Sequence, residues 1–115
     1  MICLTDIEYC APKRILTVFL SGELDHHTSR SIREQVDIAI TKHRPALLVL
    51  DFSRVTFMDS SGIGLIMGRY RLISDFGGDI LVANPPEGIL KLLKLGSVER
   101  IVRIVYTAHS AAAKE

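Results

Sequence analysis

Side chains that could do chemistry are concentrated in two short polar segments of this 115-residue chain. One segment carries an acid and two imidazoles, and the other carries an acid and two hydroxyls: Asp25, His26, His27, Asp59, Ser60 and Ser61. Such groups serve in nucleophilic catalysis, in metal binding and in phosphate chemistry, and each use requires its own spacing. The spacing therefore separates these three uses.

A hydrolytic mechanism would use Ser60 as the nucleophile, His26 or His27 as the base, and an aspartate of either segment to orient the imidazole. The nucleophile pattern Gly-x-Ser-x-Gly is absent, because Met58 stands where its first glycine would be. The chain also has little length left over for a substrate pocket. We therefore predict that the protein is not an enzyme.

Metal and nucleotide sites have weak support in the same segments. Adjacent loop histidines rarely converge on one ion, and none of the usual zinc-ligand spacings occurs. The run Ser-Ser-Gly-Ile-Gly at residues 60–64 precedes a helix, where anions bind, but it lacks the Walker A lysine and the dinucleotide-loop glycine spacing. We predict no metal and no cofactor, and nucleotide binding stays an open alternative.

The second segment lies between a predicted strand and a predicted helix. Leu47–Phe52 is near-continuously apolar, which is typical of a strand buried on both faces. Apolar residues then recur at helical spacing, which predicts a helix with one buried face: Ile63, Ile66, Met67, Tyr70 and Ile73. Asp59, Ser60 and Ser61 have oxygen-bearing side chains that can satisfy the N–H groups at this helix start, and we expect Ser60 or Ser61 to be the cap. Gly62 and Gly64 should leave the helix start open to an approaching molecule.

A serine hydroxyl at that helix start could also accept a phosphate. Phosphorylation adds about −1.5 to −2 charges, and a helix N-terminus favours negative charge, so the fold need not rearrange. Asp59 would turn the phosphate outward by repulsion. A charge in this place would block a partner that docks on the helix start.

The remaining pattern alternates strands with helices. Strands are predicted at residues 2–9, 15–20, 47–52, 79–83 and 102–106, with helices between them and a helical or frayed tail around 111–113. Thr28 or Ser29 can cap the first helix, although Ser31 and Glu34 also have capping-box spacing. The order predicts one α/β domain, residues 1–115, in which loops at the carboxyl ends of strands form the functional edge. Asp25 and the histidines should then lie near Ser60.

The composition of the chain excludes several classes of function. The formal net charge is +1 without a block of basic residues, so nucleic acid is not an expected partner. No apolar run approaches the length of a membrane span, and the N-terminus does not have the pattern of a signal peptide. Cys3 and Cys10 are too few for a disulfide framework. We predict a cytoplasmic protein with no membrane contact.

The residues quoted so far resemble a known family. Residues 57–70, Phe-Met-Asp-Ser-Ser-Gly-Ile-Gly-Leu-Ile-Met-Gly-Arg-Tyr, preceded by Leu-Val-Leu-Asp-Phe-Ser, resemble the signature of STAS-domain anti-sigma factor antagonists. Residues 22–28, Gly-Glu-Leu-Asp-His-His-Thr, narrow the resemblance to antagonists of the anti-sigma-F factor in endospore-forming bacteria. Residues 92–104 are similar to the last helix and strand of the family. The similarity covers nearly the whole chain.

The resemblance implies a STAS fold, a mixed sheet of four to five strands covered by about four to five α-helices. It implies that the unmodified protein binds an anti-sigma factor that is also a serine kinase and so frees a sporulation sigma factor. The kinase would phosphorylate Ser60, and a serine phosphatase would reverse this. The docking face would comprise the matching residues of both segments: Asp25, His26, Asp59, Ser61, Gly62, Ile63 and Gly64. STAS domains of lipid-trafficking complexes and of anion transporters are the main alternative.

Overall fold

A computed structural model describes residues 4–107 of the chain. Five strands and three α-helices alternate after an initial pair of strands: β1 Leu4–Cys10, β2 Ile15–Leu24, α1 His26–His43, β3 Leu47–Met58, α2 Ser60–Asp75, β4 Asp79–Ala83, α3 Glu87–Leu95 and β5 Arg103–Val105. A 3₁₀ turn at Val98–Arg100 separates α3 from β5. None of the helices in residues 4–107 has the length and apolar character needed to cross a membrane.

The five strands form one mixed sheet in the order β1-β2-β3-β4-β5. β1 is antiparallel to β2, and every later neighbour pair is parallel. Crossovers between parallel strands are right-handed, and the three crossovers here all move one strand in the same direction. The three helices therefore lie on one face of the sheet, which we call the helix face.

The hydrophobic core lies between the helix face and the helices. Alternate strand residues, such as Leu16, Val18 and Leu20 of β2, are fully or almost fully buried there. Helix residues complete the core: Ile32, Val36 and Ile40 from α1, Leu65, Ile66 and Ile73 from α2, and Ile89 and Leu93 from α3. One hydrophobic core thus holds the helices against the sheet.

The order and type of the predicted elements are confirmed, and the helix count in residues 4–107 is lower than the expected four to five. β4 has the predicted bounds, whereas β2 and β3 continue to Leu24 and Met58. They continue because residues 21–24 of β2 pair with residues 54–58 of β3, with two shifts in the register of the strands. The Ala-rich tail lies outside the described residues.

The expectation that the strand Leu47–Phe52 is buried on both faces is wrong, because within residues 4–107 only one face of it is covered by helices. Leu48, Leu50 and Phe52 are buried on the helix face, whereas Leu47 and Val49 on the opposite face remain half-buried. The physical reason is the topology, which places all three helices on the same side.

Candidate partner-binding site

The two polar segments lie side by side at the carboxyl-end edge of the sheet. Leu24 and Met58 are paired as the last residues of β2 and β3, and the Asp59 N–H donates to the Leu24 carbonyl at 3.2 Å. The helices α1 and α2 begin immediately afterwards. The prediction that Asp25 and the histidines neighbour Ser60 is therefore confirmed at the level of the backbone. We call residues 25–28 and 59–64 the paired helix starts.

The start of α1 forms a closed capping box. Asp25 Oδ1 accepts from the His27 N–H at 2.9 Å and from the Thr28 N–H at 3.0 Å, and Thr28 Oγ1 accepts from the Asp25 N–H at 3.0 Å. The predicted cap, Thr28 or Ser29, is wrong, because Thr28 occupies the third helical position and completes the box from inside. The Thr28 N–H, followed by that of His27, holds the pKa of Asp25 below its ordinary value.

The histidines stand outside this box. His26 and His27 are both exposed, and their rings meet edge to face with centroids 5.8 Å apart. The Asp25 carboxylate is occupied by backbone N–H groups, and no hydrogen bond among residues 4–107 joins an imidazole to Ser60. The geometry therefore lacks the chain of hydrogen bonds by which a triad activates a serine.

The start of α2 has no capping box, and we call it open, in contrast to the closed start of α1. Asp59 Oδ1 accepts from the Ser61 N–H at 2.8 Å, and the Gly62 N–H donates to the Asp59 carbonyl at 3.0 Å. Asp59 is thus the cap, and the expectation of a serine cap is wrong, because the helix already begins at Ser60, earlier than a cap at Ser60 or Ser61 would allow. Ser60 is exposed, and its hydroxyl has no hydrogen-bond partner among residues 4–107.

The two glycines at the start of α2 have different surroundings. A Cβ atom on Gly62 would overlap the Met58 side chain and lie 3.2 Å from Leu24 Cδ2, so this glycine lets α2 pack directly on the strand ends. A Cβ atom on Gly64 would meet nothing within 4 Å. Only Gly64 matches the expectation of an open surface, and Gly62 is buried beneath it.

Ile63 links the helix start to the end of α3. Its side chain is half-buried against the core, and a Cβ atom on Gly96 would come within 2.8 Å of Ile63 Cδ1. Leu95, next to that glycine, is 83% exposed. An apolar area therefore borders Ser60 on the α3 side of the site.

Two charged residues that the sequence patterns did not single out join α1 to α2. Arg69 is only 6% exposed, and its Nε lies 2.7 Å from Asp37 Oδ1 without hydrogen-bond alignment. Burial lowers the pKa of the Arg69 guanidinium and raises that of the Asp37 carboxyl, which each partner's charge only partly offsets. An arginine within an apolar helical pattern was the available signal. This ion pair joins the two helices beside the hydrophobic core that they share.

No three His, Cys, Asp or Glu side chains within residues 4–107 are grouped so that they could hold a metal ion. The paired helix starts instead combine capped backbone ends, a short apolar border and the hydroxyls of Ser60 and Ser61, for which residues 4–107 supply no hydrogen-bond partner. Such an arrangement presents a surface, and the exposed Ser60 lies on it at the start of α2.

Within residues 4–107 the architecture is a mixed five-stranded sheet with its three α-helices on one face and a Ser-bearing helix start at its edge. The model of the STAS domain family matches residues 6–111, and the chain belongs to this family.

Several relatives make the comparison more specific. The chain is 46% identical over 92 residues to the anti-sigma F factor antagonist of Paenibacillus polymyxa, covering 78% of this chain and 77% of the relative. Its fold matches the anti-sigma factor antagonist SpoIIAA in its unphosphorylated form with a TM-score of 0.78 at 28% identity, over 96% of this chain and 95% of the other. The phosphorylated form of the Bacillus cell fate determinant SpoIIAA matches with a TM-score of 0.70 at 28% identity, over 96% and 98% of the chains.

Proposed function

We propose that this chain is an anti-sigma factor antagonist that is switched by phosphorylation of Ser60. In its unphosphorylated form it binds an anti-sigma factor that is also a serine kinase, and so releases a sporulation sigma factor. The kinase inactivates the antagonist by phosphorylating Ser60, and a serine phosphatase reactivates it. The protein acts in the cytoplasm as a binding protein and not as an enzyme.

One observation carries the assignment of the switch to Ser60. Its hydroxyl is exposed and without a partner among residues 4–107, whereas capping of α2 is already performed by Asp59. Modification of Ser60 therefore breaks no contact that holds the helix. The neighbouring Ser61 is half-buried, and its N–H holds the Asp59 carboxylate, so it is the less accessible of the two.

The position of Ser60 supports a switch that acts through charge. A phosphate dianion at the first helical position is tolerated by the positive end of the helix dipole. The Asp59 carboxylate beside it repels the phosphate, which directs it outward. A partner that covers the paired helix starts would have to bury this charge, which costs affinity because the charge loses its water.

The remaining residues of the proposed docking face have distinct parts. His26 and Gly64 are exposed and would touch the partner directly, and Ile63 with the neighbouring Leu95 would supply its apolar area. Asp25, Asp59 and Ser61 act mainly through the caps that fix both helix starts. Gly62 contributes by letting α2 sit close to the strand ends.

The assignment is tested by intact mass after incubation with the cognate anti-sigma kinase and Mg·ATP. We expect wild type and Ser61→Ala to gain about 80 Da and Ser60→Ala to gain nothing. The serine phosphatase should then remove the added mass. A gain in Ser60→Ala would move the site elsewhere, and no gain in any variant would mean a STAS binding module of another kind, such as those of lipid-trafficking or transporter complexes.

A further inference from the structure

The strand β3 continues past the point where its neighbour β4 ends. The last pair between these two strands is Asp51 with Ala83, whereas β3 runs on beside β2 to Met58. Within residues 4–107, no strand therefore pairs with the β4 side of residues 52–58. A strand edge of this kind carries backbone N–H and C=O groups to which a further strand can bind.

The beginning of this edge is closed by the chain itself. Asn84 Nδ2 donates to Asp51 Oδ2 at 3.0 Å, and the N–H and hydroxyl of Ser53 donate to Asp51 Oδ1 at 2.9 and 2.6 Å. Residues 54–57 come next, and in the described part of the chain they make no hydrogen bonds apart from their pairing with β2. We call residues 54–57 the free edge.

A bulge within the free edge turns Phe57 outward. Thr56 has no partner in β2, because two consecutive residues of β2 pair with Val55 and Phe57. The extra residue shifts the alternation of the strand, so that Val55 and Met58 are both buried while the two residues between them are exposed. Phe57 is 49% exposed, so its ring contributes little to the core. Bulges re-aim side chains in this way beside functional sites.

The free edge leads directly into the phosphorylation site proposed above. Asp59 and Ser60 follow β3, so Phe57 lies within roughly 11 Å of Ser60 along the chain. We infer that an extended segment of the anti-sigma kinase adds to the free edge as a further strand, with the Phe57 ring in an apolar pocket of the kinase. Main-chain hydrogen bonds then supply affinity, and the ring supplies specificity. The inference rests on the proposed function, since it concerns the partner that phosphorylates Ser60.

The geometry around Ser60 favours the kinase as the occupant of the free edge. Ser60 is the first residue of α2, so the residues after it are helical and cannot be bound as an extended peptide. The strand before it is extended, and it is held by β2 and by the Asp59 N–H bond to the Leu24 carbonyl at 3.2 Å. Pairing with this fixed strand sets the register of the kinase and so positions the Ser60 hydroxyl for phosphate transfer.

The charge on the free edge disfavours a second copy of the chain as the occupant. Arg54 is exposed, and pairing of two free edges would bring two cations into one short pair of strands. Charged residues on strand edges prevent indiscriminate pairing in this way. A dedicated partner can instead place an acidic or neutral residue opposite Arg54.

Phosphorylation kinetics with the cognate anti-sigma kinase and Mg·ATP test the backbone contribution. Thr56→Pro removes an N–H from the free edge at the one bulge position, where proline breaks no pair with β2. We expect its KM to rise about tenfold while kcat stays nearly unchanged, because the lost contact serves binding and not phosphate transfer. Thr56→Ala retains the N–H and is the matched control, with a KM within about twofold of the wild type.

The same kinetics test the side chain of Phe57. Phe57→Ala should raise KM about tenfold, since a buried aromatic ring is a typical anchor of an interface. Phe19→Ala is the matched control, because Phe19 is 37% exposed and lies in β2 outside the free edge, and we expect its KM to equal that of the wild type. Circular dichroism and a cooperative melting curve check that each variant is folded.

Hydrogen–deuterium exchange tests strand addition directly and needs no variant of the free edge. Bound to the kinase, the Ser60→Ala protein should exchange the amides of residues 54–57 at least about tenfold more slowly than it does alone. The matched control is β1, Leu4–Cys10, which is also an edge strand and should exchange at an unchanged rate.

Several results would overturn the inference. One is an unchanged KM in both Thr56→Pro and Phe57→Ala, and another is unchanged exchange at the free edge in a kinase complex that protects the paired helix starts. Slow exchange of the free edge in the protein alone that increases with concentration would assign the edge to a second copy. Protection by the serine phosphatase and not by the kinase would also contradict it. A wild type that the kinase neither binds nor phosphorylates would contradict the proposed function itself, and the inference with it.

Discussion

The starts of α1 and α2 are built on the same plan and end with different properties. Each follows the last residue of a parallel strand, each is capped by an aspartate, and the two are joined by the Asp59 N–H bond to the Leu24 carbonyl. At α1 the carboxylate and Thr28 satisfy one another's backbone groups in a closed box. At α2 the carboxylate of Asp59 holds a single N–H.

The third helical position accounts for this difference. Thr28 has a side chain that returns a hydrogen bond to the cap residue, whereas the equivalent residue of α2 is Gly62, which has none. Glycine is required there because Met58 and Leu24 lie directly beneath. Close packing under α2 therefore excludes a capping box, and the exposed Ser60 stands at a helix start held by fewer contacts.

The largest effect is expected when the same charge is added to each start. Ser60→Asp should lower the affinity for the anti-sigma kinase about a thousandfold, equivalent to about 4 kcal/mol, because the partner must bury the new carboxylate. His26→Asp places the same group at the first position of α1 and should have a clearly smaller effect. Isothermal titration calorimetry compares the two, with Ser60→Ala expected to bind like the wild type. Tight binding by Ser60→Asp would contradict the electrostatic account of the switch.

The next largest effect is expected from placing valine at each of the two glycines of α2. Gly62→Val should lower the free energy of unfolding by about 2 kcal/mol, because the added side chain overlaps Met58 and crowds Leu24. Gly64→Val should leave stability nearly unchanged and instead weaken kinase binding, since its Cβ faces open space. This revises the expectation from sequence that Gly62, like Gly64, leaves the helix start open. Urea unfolding measures the first effect, and a stable Gly62→Val variant would show that the strand ends can move aside.

A smaller effect compares the two caps. Asp59→Ala should cost about 1 kcal/mol of stability, the usual value for losing a helix cap. Asp25→Ala should lower the melting temperature more, because its carboxylate holds two N–H groups and completes the box with Thr28. Asp75→Ala, at the exposed C-terminal end of α2, is the control and should be neutral or slightly stabilising. Equal losses at the two caps would remove the distinction between a closed and an open start.

The smallest effect depends on pH. The pKa of Asp25 lies below its ordinary value of 3.8 in the folded protein, so its carboxylate stabilises the fold above about pH 4 and loses this contribution as the pH falls through the lowered pKa. Asp25→Asn retains a capping side chain but does not titrate. The difference in melting temperature between wild type and this variant should shrink between about pH 4 and pH 2. A difference that is constant with pH would mean that the negative charge of Asp25 adds nothing to the cap.

Local patterns were sufficient to predict most of the fold. The spacing of Ile63, Ile66 and Ile73 predicted α2, and the residues Asp79 to Ala83 predicted β4 with its observed bounds. The two polar segments were expected to lie together because each follows a predicted strand, and the pairing of Leu24 with Met58 brings them side by side. The bounds of β2 and β3 were predicted too short, since their ends pair with each other and bury Leu24, Val55 and Met58 in the core, which the mixed polar and apolar residues there did not indicate.

The sequence by itself determined the alternation of strands and helices, the position of Ser60 at a helix start and the aspartate before it, because these depend on residues close together in the chain. The tertiary structure alone decided which contacts those residues make. It turned Gly62 inward onto Met58 and Leu24, paired Arg69 with Asp37 across two helices, and placed the three α-helices of residues 4–107 on one face of the sheet. These features join residues far apart in the sequence, and packing in three dimensions selects them where no local spacing can.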